Sequence, residues 1–137
     1  MMRLRLYPVI VAFGALAMSA NAPAWKIVSE SQMRQLAVAG VRAKAPGALR
    51  HRIGFERSNR AGYAWFEGWI NIGEGHVGFF VIDPRTGDMW DGVSECGEIT
   101  SPEIRRLQRN YRKQLGLSAA KYSKIKRRGP MCDQTTR

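Results

Sequence analysis

Two glutamates and both histidines of this sequence are candidate acids or bases for hydrolysis. Glu67 and Glu74 are one conceivable glycosidase pair, because such enzymes flank the bond that they cleave with two carboxylates. Their spacing fixes no separation between them. His51 and His76 accompany no serine or cysteine nucleophile motif, and no HExxH motif occurs. The sequence therefore predicts a protein that is not an enzyme and that needs no cofactor.

Acidic side chains crowd the stretch between positions 83 and 98, which raises the question of a calcium site. The acids are Asp83, Asp88, Asp91, Glu95 and Glu98. Their order lacks the DxDxDG pattern of a calcium loop, so no metal site is predicted. Instead, we expect ion pairs with basic residues further along the chain, namely Lys124, Lys126, Arg127 and Arg128.

Aromatic side chains form a candidate partner-binding surface. Tyr63, Trp65 and Trp69 alternate along one predicted strand, and Trp90 lies on a nearby strand. Such a face could stack sugar rings or anchor a protein partner, with Arg85 at an adjacent hairpin tip. The alternative, which we favour, is that a C-terminal helix covers these aromatics with its apolar stripe, made of Ile104, Leu107 and Tyr111.

Basic residues are concentrated in the last quarter of the chain. Residues 25–100 are neutral, with nine Lys/Arg and nine Asp/Glu, whereas residues 101–137 have eleven Lys/Arg and two acids, a net charge of +9. This asymmetry indicates an acidic partner or simply a solvated helix surface. The candidate anion-binding residues are Arg105, Arg106, Arg109, Arg112, Lys124, Lys126, Arg127 and Arg128.

The N-terminus is typical of a secretory signal peptide. Arg3 and Arg5 precede an apolar stretch at residues 6–18 that is too short to span a bilayer. Small residues follow, and Ala20-Asn21-Ala22 is an A-x-A cleavage site. The alternative is an N-terminal helix that stays in the fold. We predict removal of residues 1–24 and a periplasmic or secreted mature chain, residues 25–137, without a transmembrane segment.

Two cysteines remain in the predicted mature chain, Cys96 and Cys132. In an oxidising compartment, two cysteines of a small exported domain most simply form one disulfide. Neither belongs to a CxxC pair, and neither has a histidine nearby in sequence, which argues against a metal site or a catalytic thiol.

Local signals predict one helix followed by four antiparallel strands. Ser29 and Gln32 have capping-box spacing ahead of a helix that Pro46-Gly47 ends. Strands are expected at residues 51–57, 63–72 and 76–82, and a fourth begins at Met89. In the second strand, alternate residues from Ala64 to Ile72 form the better core face.

The connection between the last two strands is a turn with recognisable chemistry. Asp83 can accept hydrogen bonds from the amides just ahead, Pro84 presets φ, and Gly87 supplies the positive φ of a type I turn with a G1 bulge. Two helices are expected beyond it. Thr100 and Glu103 have capping-box spacing for the first, and Ser118 caps a second that ends near residues 129–130.

The helix, the strands and the VIDPRTGDMW hairpin together resemble PepSY-like domains of exported bacterial proteins, over residues 29–91. Those domains often have a D-x-x-TG-[DE]-[VIM] turn between their last strands. The resemblance implies a non-enzymatic binding or inhibitory module and provides no catalytic residues. The disulfide and the basic helical tail depart from the family pattern.

Taken together, the sequence predicts a single α+β domain. Its N-terminal helix packs on a four-stranded antiparallel meander, and a disulfide-tethered basic helical pair follows from about residue 100. The predicted function is that of an inhibitor or immunity-type protein that docks on a partner enzyme in the cell envelope. The alternative is a binder of anionic polymer such as lipopolysaccharide. A helix-turn-helix that binds nucleic acid is disfavoured by export.

Overall fold

The computed structural model describes residues 26–60, 62–71, 73–93, 95–129 and 132, so the predicted signal peptide lies outside the described residues. The α+β architecture is confirmed. The elements in chain order are α1 (Glu30–Lys44), a 3-10 helix (Pro46–Arg50), β1 (Ile53–Arg60), β2 (Tyr63–Ile70), β3 (Gly75–Ile82), β4 (Met89–Asp91), α2 (Pro102–Gln114) and α3 (Ala119–Lys126). None of the described helices is long and apolar enough to cross a bilayer.

The N-terminus of α1 has the predicted capping box. The Ser29 hydroxyl accepts the Gln32 backbone N–H at 3.3 Å, and the Gln32 side chain accepts the Ser29 backbone N–H at 2.9 Å. This exchange satisfies two donors that the first turn leaves without partners. The helix ends at Lys44, and Pro46 opens a short 3-10 helix rather than a loop. The capping box therefore fixes where α1 begins.

The four strands form an antiparallel meander in the order β1-β2-β3-β4. β1 continues to Arg60, three residues beyond its predicted end, because its last residues pair with the start of β2. Ala64 and Phe66 of β2 face α1, as predicted. Gly40 of α1 lies so close to the Phe80 ring that an added Cβ would meet it at 2.9 Å. A glycine inside this helix is thus explained by the close approach of helix and sheet.

The turn between β3 and β4 has the predicted geometry. Gly87 has a φ of 74° and donates its N–H to the Asp83 carbonyl at 2.7 Å, while the Asp83 N–H donates to the Asp88 carbonyl at 2.9 Å. The Asp83 side chain accepts the Arg85 backbone N–H at 2.9 Å. Because these bonds close a compact turn, the side chains of residues 83–88 have fixed directions.

Helix α2 packs against α1, and the prediction that it covers the strand aromatics is wrong. Ile104 and Tyr111 are buried in the core that α1 shares with the sheet. The Tyr111 hydroxyl donates to the Gln35 side chain at 2.7 Å. The N-cap of α2 is Ser101 rather than Thr100, since the Ser101 hydroxyl accepts the Ile104 N–H. α3 also ends at Lys126, earlier than predicted.

A second, smaller core lies on the other face of the sheet. The predicted disulfide joins Cys96 and Cys132, whose Cα atoms are 5.8 Å apart. Both cysteines pack against a cluster of buried side chains, made of Tyr63, Trp65, Val81 and Trp90. Cys96 and Cys132, rather than α2, therefore contact this aromatic face.

Candidate binding site

Three of the five predicted partner-binding residues are buried. Tyr63 and Trp65 are 4% exposed and Trp90 is 8% exposed. The Tyr63 and Trp90 rings are 6.0 Å apart between centroids, so they contact each other. Trp69 is partly exposed and meets His76 edge-on at 5.1 Å. The three buried rings therefore offer almost no exposed surface to a partner.

Arg85, the fifth candidate residue, is half-buried at the hairpin tip. Its guanidinium donates to the Asp83 carboxylate at 2.7 and 2.9 Å and to the Tyr63 hydroxyl at 3.1 Å. The hydrogen bond to Asp83 raises the pKa of Arg85 above its ordinary value. Burial raises the pKa of the Tyr63 phenol, and the Asp83 charge adds to this increase. Arg85 is thus held in one orientation.

A second buried ion pair ties the same turn to the C-terminal helices. The Arg112 guanidinium donates to Asp88 at 2.5 Å and to the Thr86 carbonyl at 3.0 Å. It also lies over the Tyr122 ring at 3.8 Å. The Tyr122 hydroxyl donates to Asp88 at 3.1 Å, and burial raises the pKa of this phenol. Arg112 was a candidate for anion binding, but its guanidinium is engaged inside the protein.

The expected pairing between the acidic stretch and the C-terminal basic residues is mostly wrong. Lys126 pairs with Glu98 at 3.1 Å, as expected. Burial lowers the pKa of Lys126, but hydrogen bonds to Glu98 and Tyr122 outweigh it, so that the pKa is raised. Asp83 and Asp88 instead pair with Arg85 and Arg112, and Asp91 pairs with Lys44.

The other basic candidates remain on the surface. In the part of the chain that the structure describes, no carboxylate lies within salt-bridge distance of them. These exposed cations are Arg105, Arg106 and Arg109 on α2, and Lys124, Arg127 and Arg128 on or after α3; Lys113 and Lys121 join them.

Four cations and two aliphatic side chains line a pocket of about 390 Å³, which we call the α3 pocket. Its lining residues are Arg85, Leu117, Lys121, Lys124, Ile125 and Arg128. The pocket combines the hairpin tip and the basic tail, which are separate candidate surfaces in the sequence. Leu117, Lys121 and Ile125 were missed as site residues, although the spacing of three or four residues from Leu117 to Arg128 was a readable helical signal.

The side chains considered for catalysis do not converge. Glu67 lies 3.6 Å from His76, whereas the Glu74 carboxylate accepts a hydrogen bond from Asn71 at 3.2 Å. A larger groove of about 600 Å³ lies between α1 and α2, and its charged residues pair with each other. There, hydrogen bonds from Arg34 and Arg57 lower the pKa of Glu30. Among the described residues, no three His, Cys, Asp or Glu side chains are grouped as metal ligands.

Comparison with known proteins identifies the fold but not a family. The chain is similar to one in the solved structure of a type VI secretion system effector-immunity complex from Pseudomonas protegens. The two are 24% identical, the TM-score is 0.55, and the match covers 77% of this chain and 91% of that one. No protein-family model and no curated protein matches this sequence. The PepSY-like resemblance therefore stays a prediction.

Proposed function

We propose that this chain is an exported, non-enzymatic binding protein of the inhibitor or immunity type, which docks on a partner enzyme in the cell envelope. The observation that carries this proposal is the fold similarity to a chain of an effector-immunity complex, because it extends over nearly all of that chain.

The proposed location in the periplasm rests on two features. The disulfide between Cys96 and Cys132 is stable in an oxidising compartment, and residues 1–24 have the order of regions expected of a signal peptide. An effector inhibitor would act where its target acts, so export and inhibition are compatible.

A second candidate function is the binding of anionic polymer at the cell envelope. The observation that favours it is the set of exposed, unpaired cations on α2 and α3, which would attract phosphate-rich glycans or lipopolysaccharide. Attraction of this kind weakens steeply as salt screens the charges. Salt dependence therefore separates the two candidates.

The test is capture of partners from envelope extract with the mature chain, residues 25–137, as bait. Under the proposal, one protein is retained at a 1:1 ratio through a high-salt wash, and its enzymatic or toxic activity falls when purified bait is added. Retention of polysaccharide or lipid alone, released as salt rises, would refute the inhibitor function and support the second candidate.

A further inference from the structure

The α3 pocket owes its shape to one face of a short, capped helix. Ser118 caps α3, and its hydroxyl accepts the Lys121 backbone N–H at 3.3 Å. Lys121 lies within α3, whereas Leu117 and Arg128 flank its two ends. Arg85, at the tip of the β3–β4 hairpin, lines the pocket with them. The pocket volume of about 390 Å³ lies within the range of small ligand sites.

The pocket has an uncompensated positive charge. Arg85 is neutralised by Asp83, but Lys121, Lys124 and Arg128 have no carboxylate within salt-bridge distance among the described residues. Like charges held together repel one another, and an anionic occupant would relieve this repulsion. Lys126, outside the pocket lining, does have an internal partner in Glu98. Three of the unpaired cations therefore line the pocket.

The pocket is also partly apolar. Leu117 and Ile125 are half-buried and contribute aliphatic surface among the cationic side chains. A phosphate-rich glycan has negative charge but no group that would cover this aliphatic surface. A peptide segment with a carboxylate next to a leucine or phenylalanine has both. Charge and hydrophobicity together favour a protein ligand over a polysaccharide.

The elements that carry the pocket residues are connected by side-chain contacts. α3 is tied to the hairpin through the Tyr122–Asp88 hydrogen bond and to residue 98 through the Lys126–Glu98 ion pair. Arg112 of α2 binds the same hairpin turn through hydrogen bonds to the Thr86 carbonyl and the Asp88 carboxylate. Preorganisation of this kind reduces the entropy that binding would otherwise cost.

From these observations we infer that the α3 pocket docks an acidic, apolar segment of the partner protein, with Lys121, Lys124 and Arg128 facing its carboxylates. This inference rests on the proposed function, since it names the chemistry of the partner. The occupant is a stretch in which Asp or Glu neighbours a large aliphatic or aromatic side chain. The apolar side chain of this partner segment would contact Leu117 and Ile125.

A peptide titration tests the pocket without the natural partner. The probe is the acetylated, amidated pentapeptide Leu-Asp-Leu-Glu-Leu, added to the isotope-labelled mature protein and followed by backbone amide shifts. We expect the largest shifts at residues 117–128 and at Arg85. A matched peptide with Asn and Gln in place of Asp and Glu should bind at least about tenfold more weakly, because it lacks the charges. Equal binding of both peptides, or no shifts in this region, would overturn the inference.

Matched charge reversals show whether the site or only the net charge matters. The pocket variant is K121E/K124E/R128E, and the control is R105E/R109E/K113E on α2, which changes the net charge equally outside the pocket. Peptide affinity should fall more than about tenfold in the first and much less in the second. Circular dichroism confirms that both variants are folded. An equal loss in both would mean general electrostatic attraction and would sink the proposed site.

The same variants distinguish this inference from the proposed function. If a captured partner protein binds the pocket variant as tightly as the original, the partner is real but docks elsewhere, and the inference fails alone. If inorganic polyphosphate or anionic lipid vesicles displace the peptide and no partner protein is captured, the pocket takes a polymer, and both fail. A partner whose binding is lost only in the pocket variant supports both.

Discussion

The two faces of the sheet are covered in different ways. On one face, α1 and α2 bury a core that includes Phe66, Phe80 and Ile104, and long helices provide the cover. On the other face, Trp65 and Trp90 are buried in a small cluster that includes Cys132. Burial of apolar area by the helices stabilises the first face, whereas the disulfide between Cys96 and Cys132 packs against the second.

Neighbouring residues of β2 point to opposite faces of the sheet. The largest expected effect on stability is at Phe66, on the face that the helices cover. Phe66 is fully buried beneath α1, so Phe66→Ala should lower the free energy of unfolding by about 3–5 kcal/mol through lost burial and the cavity that remains. Urea denaturation of the mature protein measures it. A loss below about 1 kcal/mol would show that the helices are not the main source of stability.

Removal of the disulfide should affect the aromatic face selectively. The bond closes a loop with a sequence separation of 36, so the C96S/C132S variant should be less stable by about 3–4 kcal/mol in the chain-entropy model. Tryptophan emission should shift to longer wavelength as Trp65 and Trp90 gain water, while the helical circular dichroism signal is retained. Unchanged emission in the folded variant would mean that the aromatic cluster does not need the bond.

A conservative change on the aromatic face should cost little. The Trp65 indole N–H is buried and has no hydrogen-bond partner among the described residues. A buried N–H without a hydrogen-bond partner destabilises the folded state by about 1–3 kcal/mol. Trp65→Phe removes this destabilisation, and it also removes some of the packing of the indole ring. We expect a net change within about 1 kcal/mol in urea denaturation. A loss as large as that of Phe66→Ala would contradict the comparison between the faces.

The pKa values of the tyrosines provide the comparison with the smallest expected effect. Burial raises the pKa of Tyr63 on the aromatic face and of Tyr111 on the helical face. A raised pKa in the folded state means that the associated stability is present below the unfolded value of about 10 and is lost as pH rises through the folded value. The phenolate absorbance of the mature protein should therefore appear at higher pH than in urea.

The same titration of the variant without the disulfide separates the responses of Tyr63 and Tyr111. In C96S/C132S, Tyr63 should ionise at a pH closer to its ordinary value, while Tyr111 should not change. The variants Tyr63→Phe and Tyr111→Phe in the same background distinguish these two transitions from that of Tyr122, whose pKa is also raised. An equal downward shift of both phenols would indicate that the bond supports the whole domain rather than one face.

Several features were predicted because they depend on residues close together in sequence. The Ser29–Gln32 capping box, the turn at residues 83–88 and the alternation that directs Phe66 toward the core all rest on near neighbours. The cysteine count predicted the disulfide, since only one pairing was possible within the mature chain.

The candidate site was predicted only in fragments. Arg85, Lys124 and Arg128 were each named, but on two competing surfaces, and Arg112 was assigned to solvent although it binds Asp88. No spacing in the chain indicates that a turn at residue 85 and a helix near residue 121 meet. That contact depends on the packing of α2 on α1, because this packing determines where the chain continues into α3.

The sequence by itself therefore determined the element types, the hairpin, the disulfide and the basic character of the tail, because caps, turns and strand alternation are set within a few residues. Only the tertiary structure decided which side of the sheet α2 covers, which acids the cations neutralise, and which cations remain unpaired around a pocket. Those outcomes depend on packing between segments far apart in the chain, where a stripe of apolar residues fits more than one surface.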